Sequence, residues 1–388
     1  MKKLYLLALT VFLLNSHTVA QDSYKFTDIK RLPVTSVKDQ HRSGTCWSFS
    51  ALSFLEAEMI RMGKKDIPDL SEMFVVRNCY YDKAIKHVRL HGALNFGGGG
   101  AFHDATYVLK NYGLVPEEVY SGLQYGEDNH VHGELDLLLK DYVNGVIKNK
   151  NKKISTAWKI GFNGILDAYL GKQVTKFTYQ GKEYTPKSFA KDVTGLNADD
   201  YITITSFNHH PYYQPFILEI PDNWLWGEAY NLPMQKMLDV IDFSLENGYT
   251  VAWATDVSEK GFSYRDGVAI VPGKDIKEMS DTERSKWEKL TKKEKESTIY
   301  VEEKKITQEM RQIDFDNYKT TDDHGMLIIG TAKDQNGKKY YIVKNSWAES
   351  NKYKGYLYAS EAFVLFKTTN IMVNKNAVPK DIKKKLKL

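Results

Sequence analysis

Apolar residues recur at helical spacing early in this chain and gather into strand-like runs late in it, and this change of period narrows the fold more than any other feature. Cys46, Trp47, Phe49, Leu52, Phe54, Leu55, Met59 and Ile60 repeat at helical intervals, with Glu56 and Glu58 on other faces and Gly63 as a stop. Ser71 caps a second helix through Asn78 and Cys79, with Glu72 in its first turn. The glycine run 97–100 precedes a third helix over 101–111, closed by Gly113. Helical patterns follow at 134–147, 153–170 and 232–247. Strand patterns occupy 201–220, Thr250–Trp253, Gly325–Ala332, Lys339–Lys344 and Gly355–Ala359, with a turn at 334–337. Helices early and strands late imply an α+β protein with two lobes. Residues 273–311 are dense in Lys and Glu and read as solvated helices or a surface insertion.

Charge and composition exclude several function classes. A hydrophobic content of 42% with 27% charged residues is that of a folded globular chain. The formal charge is only +5, and Lys2, Lys3 and five lysines among the last nine residues account for it. The remaining body is close to neutral, so no nucleic-acid partner is expected. Basic Lys2-Lys3, the apolar run Leu4–Leu14 and the small residues Thr18 and Ala20 read as a signal peptide over residues 1–20. Export to a periplasm or beyond the cell is expected. No later apolar run approaches spanning length, so no stable membrane insertion is expected.

Two cysteines are present, Cys46 and Cys79; in an exported chain the ordinary reading is a disulfide between them, and the alternative is one reactive and one passive thiol. A thiol at a helix N-terminus faces unpaired backbone N–H groups and the positive end of the helix dipole, and both favour the nucleophilic thiolate. Gln40, six residues upstream of Cys46, carries an amide that can donate to an oxyanion beside the Cys46 N–H. His324 precedes an apolar strand, and Asn345-Ser346-Trp347 ends the next one. An antiparallel hairpin sets His324 beside Asn345, whose carbonyl then orients the imidazole. Trp347 is placed to cover that hydrogen bond. Taken singly, each of these residues has an ordinary structural explanation. His87 and His91 have the i, i+4 spacing of a zinc pair but lack an accompanying glutamate, His209-His210 beside Pro211 reads as a polar loop, and the glycine run lacks the Lys-Ser/Thr of a phosphate loop. No metal and no cofactor is expected.

In order, Gln40, Ser43-Gly44-Thr45-Cys46-Trp47, Asp323-His324-Gly325 and Asn345-Ser346-Trp347 resemble the papain superfamily of cysteine peptidases. Leu70-Ser71-Glu72, Asn78-Cys79-Tyr80, Gly99-Gly100, Leu114-Val115-Pro116 and Lys354-Gly355-Tyr356-Leu357 are similar to its bleomycin hydrolase and aminopeptidase C branch. The resemblance implies a papain-like two-lobe fold: a helical lobe mainly over 46–120, an insertion at 123–200 and an antiparallel, barrel-like β lobe mainly over 201–375. A basic tail, 376–388, follows. It implies Cys46, His324 and Asn345 as the catalytic set, Gln40 in the oxyanion hole, Gly99, Gly100 and Trp347 along the substrate, and Cys79 as a passive core residue. It further implies peptide substrates, a hexameric homo-oligomer and a C-terminal plug in which the Leu388 carboxylate meets the substrate's amino end. The alternatives are an open-cleft endopeptidase and a non-catalytic binding protein on the same fold. Two small departures stand out: Gly325 occupies a position where the superfamily usually has Ala, and Ala348 one where it usually has Gly.

Overall fold

The computed structural model describes residues 24–151, 153–273, 281–289 and 303–388. The expected signal peptide and much of the charged stretch 273–311 lie outside the described residues. Strand β1 (Thr27–Arg31) leads into helices α1 (Cys46–Arg61), α2 (Glu72–Arg89), α3 (Phe102–Asn111), α4 (Gly133–Ile147) and α5 (Ala157–Tyr169). A hairpin of β2 (Phe177–Tyr179) and β3 (Lys182–Tyr184) and the short α6 (Pro186–Phe189) follow. Then come β4 (Tyr201–Thr205), β5 (Pro215–Ile217), β6 (Glu228–Asn231), α7 (Met234–Glu246), β7 (Val251–Thr255), β8 (Phe262–Ser263) and β9 (Val268–Ala269). The last third carries β10 (His324–Lys333), β11 (Lys339–Lys344), β12 (Tyr356–Ser360) and β13 (Thr368–Asn374). Further helices cover Gln308–Asp316, Glu361–Lys367 and Lys380–Leu386.

These strands form one sheet in the order β5-β6-β4-β13-β7-β10-β11-β12-β9-β8, with β1 also pairing β10 and β2-β3 apart. Most pairs are antiparallel; β4 with β6 and β9 with β12 are parallel. Successive side chains of a strand point to opposite faces. Leu327 and Ile329 of β10 and Ala252 and Ala254 of β7 therefore join the core shared with α1, α2 and α3. Met326, Ile328, Val251 and Trp253 join a second core with Leu238, Ile241 and Leu245 of α7. Because both faces are covered, β10 reads as a continuous apolar run rather than an alternating one.

Helix α1 is buried from Trp47 to Met59. It is enclosed by helices on one side and the sheet on the other, so it is apolar around most of its circumference. Leu52, Phe54, Leu55 and Met59 are wholly withdrawn from solvent. Each contributes roughly 1.5–3 kcal/mol of burial free energy, which fixes the helix and the cysteine at its start.

Three features differ from the sequence reading. Helix α2 continues past Cys79 to Arg89, and Lys83 inside it is buried and donates to the carbonyls of Gly97 (3.0 Å) and Gly99. His87 and His91 consequently do not share a helical face: His87 is in α2, bonded through Nδ1 to the Leu94 carbonyl at 2.6 Å, and His91 lies beyond the helix with φ of 55°. The basic tail is ordered as helix Lys380–Leu386, whose Ile382 and Leu386 enter the core beside α7. No helix among the described residues is long and apolar enough to cross a membrane.

Candidate active site

Helix α1 begins at Cys46 with no side chain capping it. The leading N–H groups of a helix have no partners within it and form a positive pole. The backbone N–H groups of Gly325, from β10, and of Trp47 are near the Cys46 sulfur and favour its thiolate. Both cysteines are free, and Cys79 is a fully buried residue of the helical core.

The imidazole comes from the sheet. In the β10–β11 hairpin, Leu327 is opposite Lys344. His324 at the start of β10 is thereby set beside Asn345, which follows β11. His324 Nε2 lies 2.7 Å from Asn345 Oδ1. That oxygen also accepts the Ser346 N–H at 2.8 Å, which turns the carbonyl side of the amide toward the ring. An amide oxygen only accepts, so Nε2 carries the hydrogen and Nδ1 of the neutral ring holds a lone pair. The Trp347 ring covers the imidazole at 4.4 Å. Tyr264 packs edge-on against Trp347 at 5.1 Å and donates to the Trp347 and Ala348 carbonyls at 3.0 and 2.6 Å.

Gln40 is held from two sides. Its Nε2 donates to the Ser43 carbonyl at 2.9 Å, and its Oε1 accepts from Ser346 Oγ at 2.7 Å. The second Nε2 hydrogen is left for the cavity, which Gln40 lines. The segment carrying Gln40 is anchored by Lys38, which donates to Glu72 at 2.6 Å and pairs with Asp69.

Cys46, His324, Gln40, Gly99, Gly100 and Trp347 line one cavity of about 370 Å³, and Asn345 stands behind His324. A Cβ on Gly100 would lie 2.8 Å from the Trp47 ring, and one on Gly99 would lie 1.9 Å from the Asp222 carboxylate. A side chain at Gly100 would therefore collide with the Trp47 ring, and one at Gly99 would displace Asp222. Leu388 is not among the lining residues. Its N–H bonds the Lys383 carbonyl at 3.1 Å, and its helix is drawn to α7 by the burial of Ile382 and Leu386. Apolar burial thus takes the tail away from where the resemblance would put it.

Sequence reasoning missed the carboxylates. Asp222, Asp322 and Asp323 line the cavity, and among the described residues its lining contains no Lys or Arg. Asp322 accepts from Thr369 Oγ1 at 2.7 Å, and Asp222 accepts from Asn95 at 3.2 Å. Burial pushes the Asp322 carboxyl up to about 7, with Asp222 and Asp323 adding like charge, and burial likewise raises Asp222. Asp322 could have been found from its place two residues before His324. Asp222 sits in a loop with no local motif, so nothing in the sequence marked it.

Burial also pushes the Cys46 thiol up to about 12, with Asp322 and Asp222 adding to the rise, and the His324 imidazole down to about 4. Each group alone is favoured in its neutral form. A thiolate and an imidazolium are reached together, by passing the proton between them, so that each ion is the other's counter-charge.

The structure gives a cause for Gly325 and a cost for Ala348. A Cβ on Gly325 would meet Ser50 Oγ at 2.7 Å and the Phe102 ring at 2.9 Å. Ala348 has φ of 56°, a left-handed conformation in which glycine is free of strain.

The chain is similar to known proteins over most of its length. Aminopeptidase G of Lactobacillus delbrueckii subsp. lactis is 22% identical over 392 residues, covering 90% of this chain and 83% of that protein. Aminopeptidase C of Lactococcus lactis subsp. cremoris is 22% identical over 399 residues, covering 91% and 83%. The crystal structure of PepW from Lactobacillus rhamnosis superposes with a TM-score of 0.68 at 22% identity, over 93% of this chain and 84% of that one, and supports the fold. The profile described as papain family cysteine protease matches residues 21–194, which hold Gln40 and Cys46. The profile described as peptidase C1-like family matches residues 172–388, which hold His324 and Asn345 and make up more than half of the sequence, so this chain belongs to the peptidase C1-like family.

Proposed function

We propose that this protein is a cysteine aminopeptidase that releases residues from the free amino end of peptides through a thioester on Cys46. The observation that carries the reading is the His324–Asn345 bond of 2.7 Å, which leaves Nδ1 as the free nitrogen of a ring lining the same cavity as the thiol. In the first step the Cys46 proton passes to His324 Nδ1 and the sulfur attacks the peptide carbonyl. The carbonyl π electrons move to oxygen, and the Cys46 N–H and Gln40 Nε2–H stabilise that charge. The C–N bond then breaks as His324 returns the proton to the departing amine. Water, losing its proton to His324, attacks the thioester and frees the acid and the thiol.

Aminopeptidase action is supported by the cavity wall and by the names of the relatives. The loop bearing Asp222 lies across Gly99, so the cleft is narrowed there, and Asp222 and Asp322 are carboxylates in a lining that holds no Lys or Arg among the described residues. An α-ammonium group complements that wall. In this reading Asp222 and Asp322 act in place of a terminal carboxylate. The test compares one chromogenic peptide with a free and with an acetylated amino end. Preference for the free amine by at least tenfold, abolished in Cys46→Ala, is expected. Equal cleavage of acetylated peptides would establish the open-cleft endopeptidase instead, and failure of a thiol-directed epoxide to label Cys46 would favour a non-catalytic protein. Export with removal of residues 1–20 and assembly into a hexamer belong to the same proposal. They are read by N-terminal sequencing of the exported protein and by sedimentation.

A further inference from the structure

His209 and His210 follow β4, and Glu219 follows β5. His209 Nε2 is 3.0 Å from one Glu219 carboxylate oxygen, and His210 Nε2 is 3.1 Å from the other. Both rings are oriented by packing. His209 lies nearly parallel to Phe315 at 6.0 Å, and His210 is stacked on Phe216 at 4.2 Å. Behind His209, Nδ1 faces the Gln312 amide, 3.0 Å from its Nε2 and 3.3 Å from its Oε1. Among the described residues, this is the group of three imidazole, thiol or carboxylate donors whose ligand atoms all lie within 4.8 Å of one another. The three residues do not line the catalytic cavity, and the proposed reaction does not use them.

We propose that His209, His210 and Glu219 bind one Zn²⁺ ion through the two Nε2 atoms and a carboxylate oxygen, with water completing the tetrahedron. Two imidazoles and a carboxylate form a donor set that suits zinc and not the hard, oxygen-seeking Mg²⁺. Ligands about 2.0–2.2 Å from a tetrahedral zinc are about 3.3 Å from each other. Each ring nitrogen is near that spacing from one oxygen of the carboxylate, 3.0 Å for His209 and 3.1 Å for His210, and three ligand atoms, one from each residue, lie within 4.8 Å of one another. Binding replaces the hydrogens that Nε2 of each ring gives to Glu219. His209 then carries its hydrogen on Nδ1, and the Gln312 amide, with both its oxygen and its nitrogen in reach, accepts from that tautomer as readily as it donates to the other. The ion is a staple: Asn223 Nδ2 ties the carbonyls of Leu218 and Gly227, each at 2.9 Å, so fixing Glu219 steadies the loop that carries Asp222.

The test uses the full chain with Cys46 alkylated, so that the active-site thiol takes no metal, after chelator treatment and dialysis. Calorimetric titration with zinc chloride is expected to give one ion per chain, and magnesium chloride no heat. His209→Ala and Glu219→Gln are each expected to weaken binding at least tenfold while the metal-free thermal midpoint stays unchanged, since all three side chains are at the surface. X-ray absorption at the zinc edge is expected to read nitrogen and oxygen ligands without sulfur. Absence of zinc uptake, or uptake unaltered in the His209→Ala/His210→Ala protein, overturns the proposal.

Discussion

Gln40 spends three of its polar contacts on structure before any substrate arrives. The backbone N–H donates to the Ser346 carbonyl at 2.9 Å, Oε1 accepts from Ser346 Oγ and one Nε2 hydrogen goes to the Ser43 carbonyl. The remaining hydrogen is preorganised, and a donor of that kind stabilises an oxyanion without reorganising during reaction. Gln40→Ala is therefore expected to lower kcat by about 10²–10³ with little change in KM, as read by steady-state kinetics. A rise in KM with unchanged kcat would assign Gln40 to ground-state binding instead. At Ala348 the prediction concerns stability. Its φ of 56° holds a Cβ in the left-handed region, so Ala348→Gly is expected to stabilise the fold by about 1 kcal/mol in denaturant titration. At this scale Cys46, His324, Asn345 and Gln40 were legible because each stands in a short local motif. The reason for Gly325 was not legible, because Ser50 and Phe102, which crowd it, come from other elements.

Elements join these residues, and here the sequence was informative where one period ruled a segment and uninformative where it did not. Helix α1 and the β10–β11 hairpin were readable from their apolar spacing and turn. The end of α2 was hidden by charged letters such as Lys83, whose ammonium is in fact buried against the carbonyls of Gly97 and Gly99. The loop after β5 was hidden more completely, since Asp222 acquires its role only by crossing to Gly99. That crossing and the approach to β10 make the cavity wall titratable. Asp322 ionises only near pH 7, so an α-ammonium meets a neutral carboxyl below that pH and a carboxylate above it. The ratio of kcat/KM for free-amine over acetylated substrate is therefore expected to rise as pH increases through about 7 and to fall again above about 8, where the α-ammonium itself loses its proton, since steps common to both substrates cancel. Asp322→Asn is expected to flatten that rise. A pH-independent ratio in the native enzyme would remove Asp322 from amine recognition.

For the whole molecule, the decisive question is what the C-terminal segment does for the rest. Helix Lys380–Leu386 places Ile382 and Leu386 in the core with Leu238, Ile241 and Leu245 of α7, while Lys385 stands 4.5 Å from the Tyr213 ring. Its lysines line the outer side, so an amphipathic helix explains both the basic composition and the regular spacing of the two apolar residues. In this position the segment closes the second core and leaves the amine-binding wall to Asp222 and Asp322. Deleting residues 380–388 uncovers that part of α7 and removes two buried aliphatic side chains, a loss of about 3–6 kcal/mol. Denaturant titration of the shortened protein is expected to show that loss, whereas its preference for free over acetylated amino ends is expected to stay within twofold of the full chain. If the tail instead supplied the carboxylate that selects the amino end, the same deletion would open the cleft and internal cleavage of acetylated peptides would emerge. Assaying both quantities on one preparation separates a tail that holds the core together from a tail that chooses the substrate.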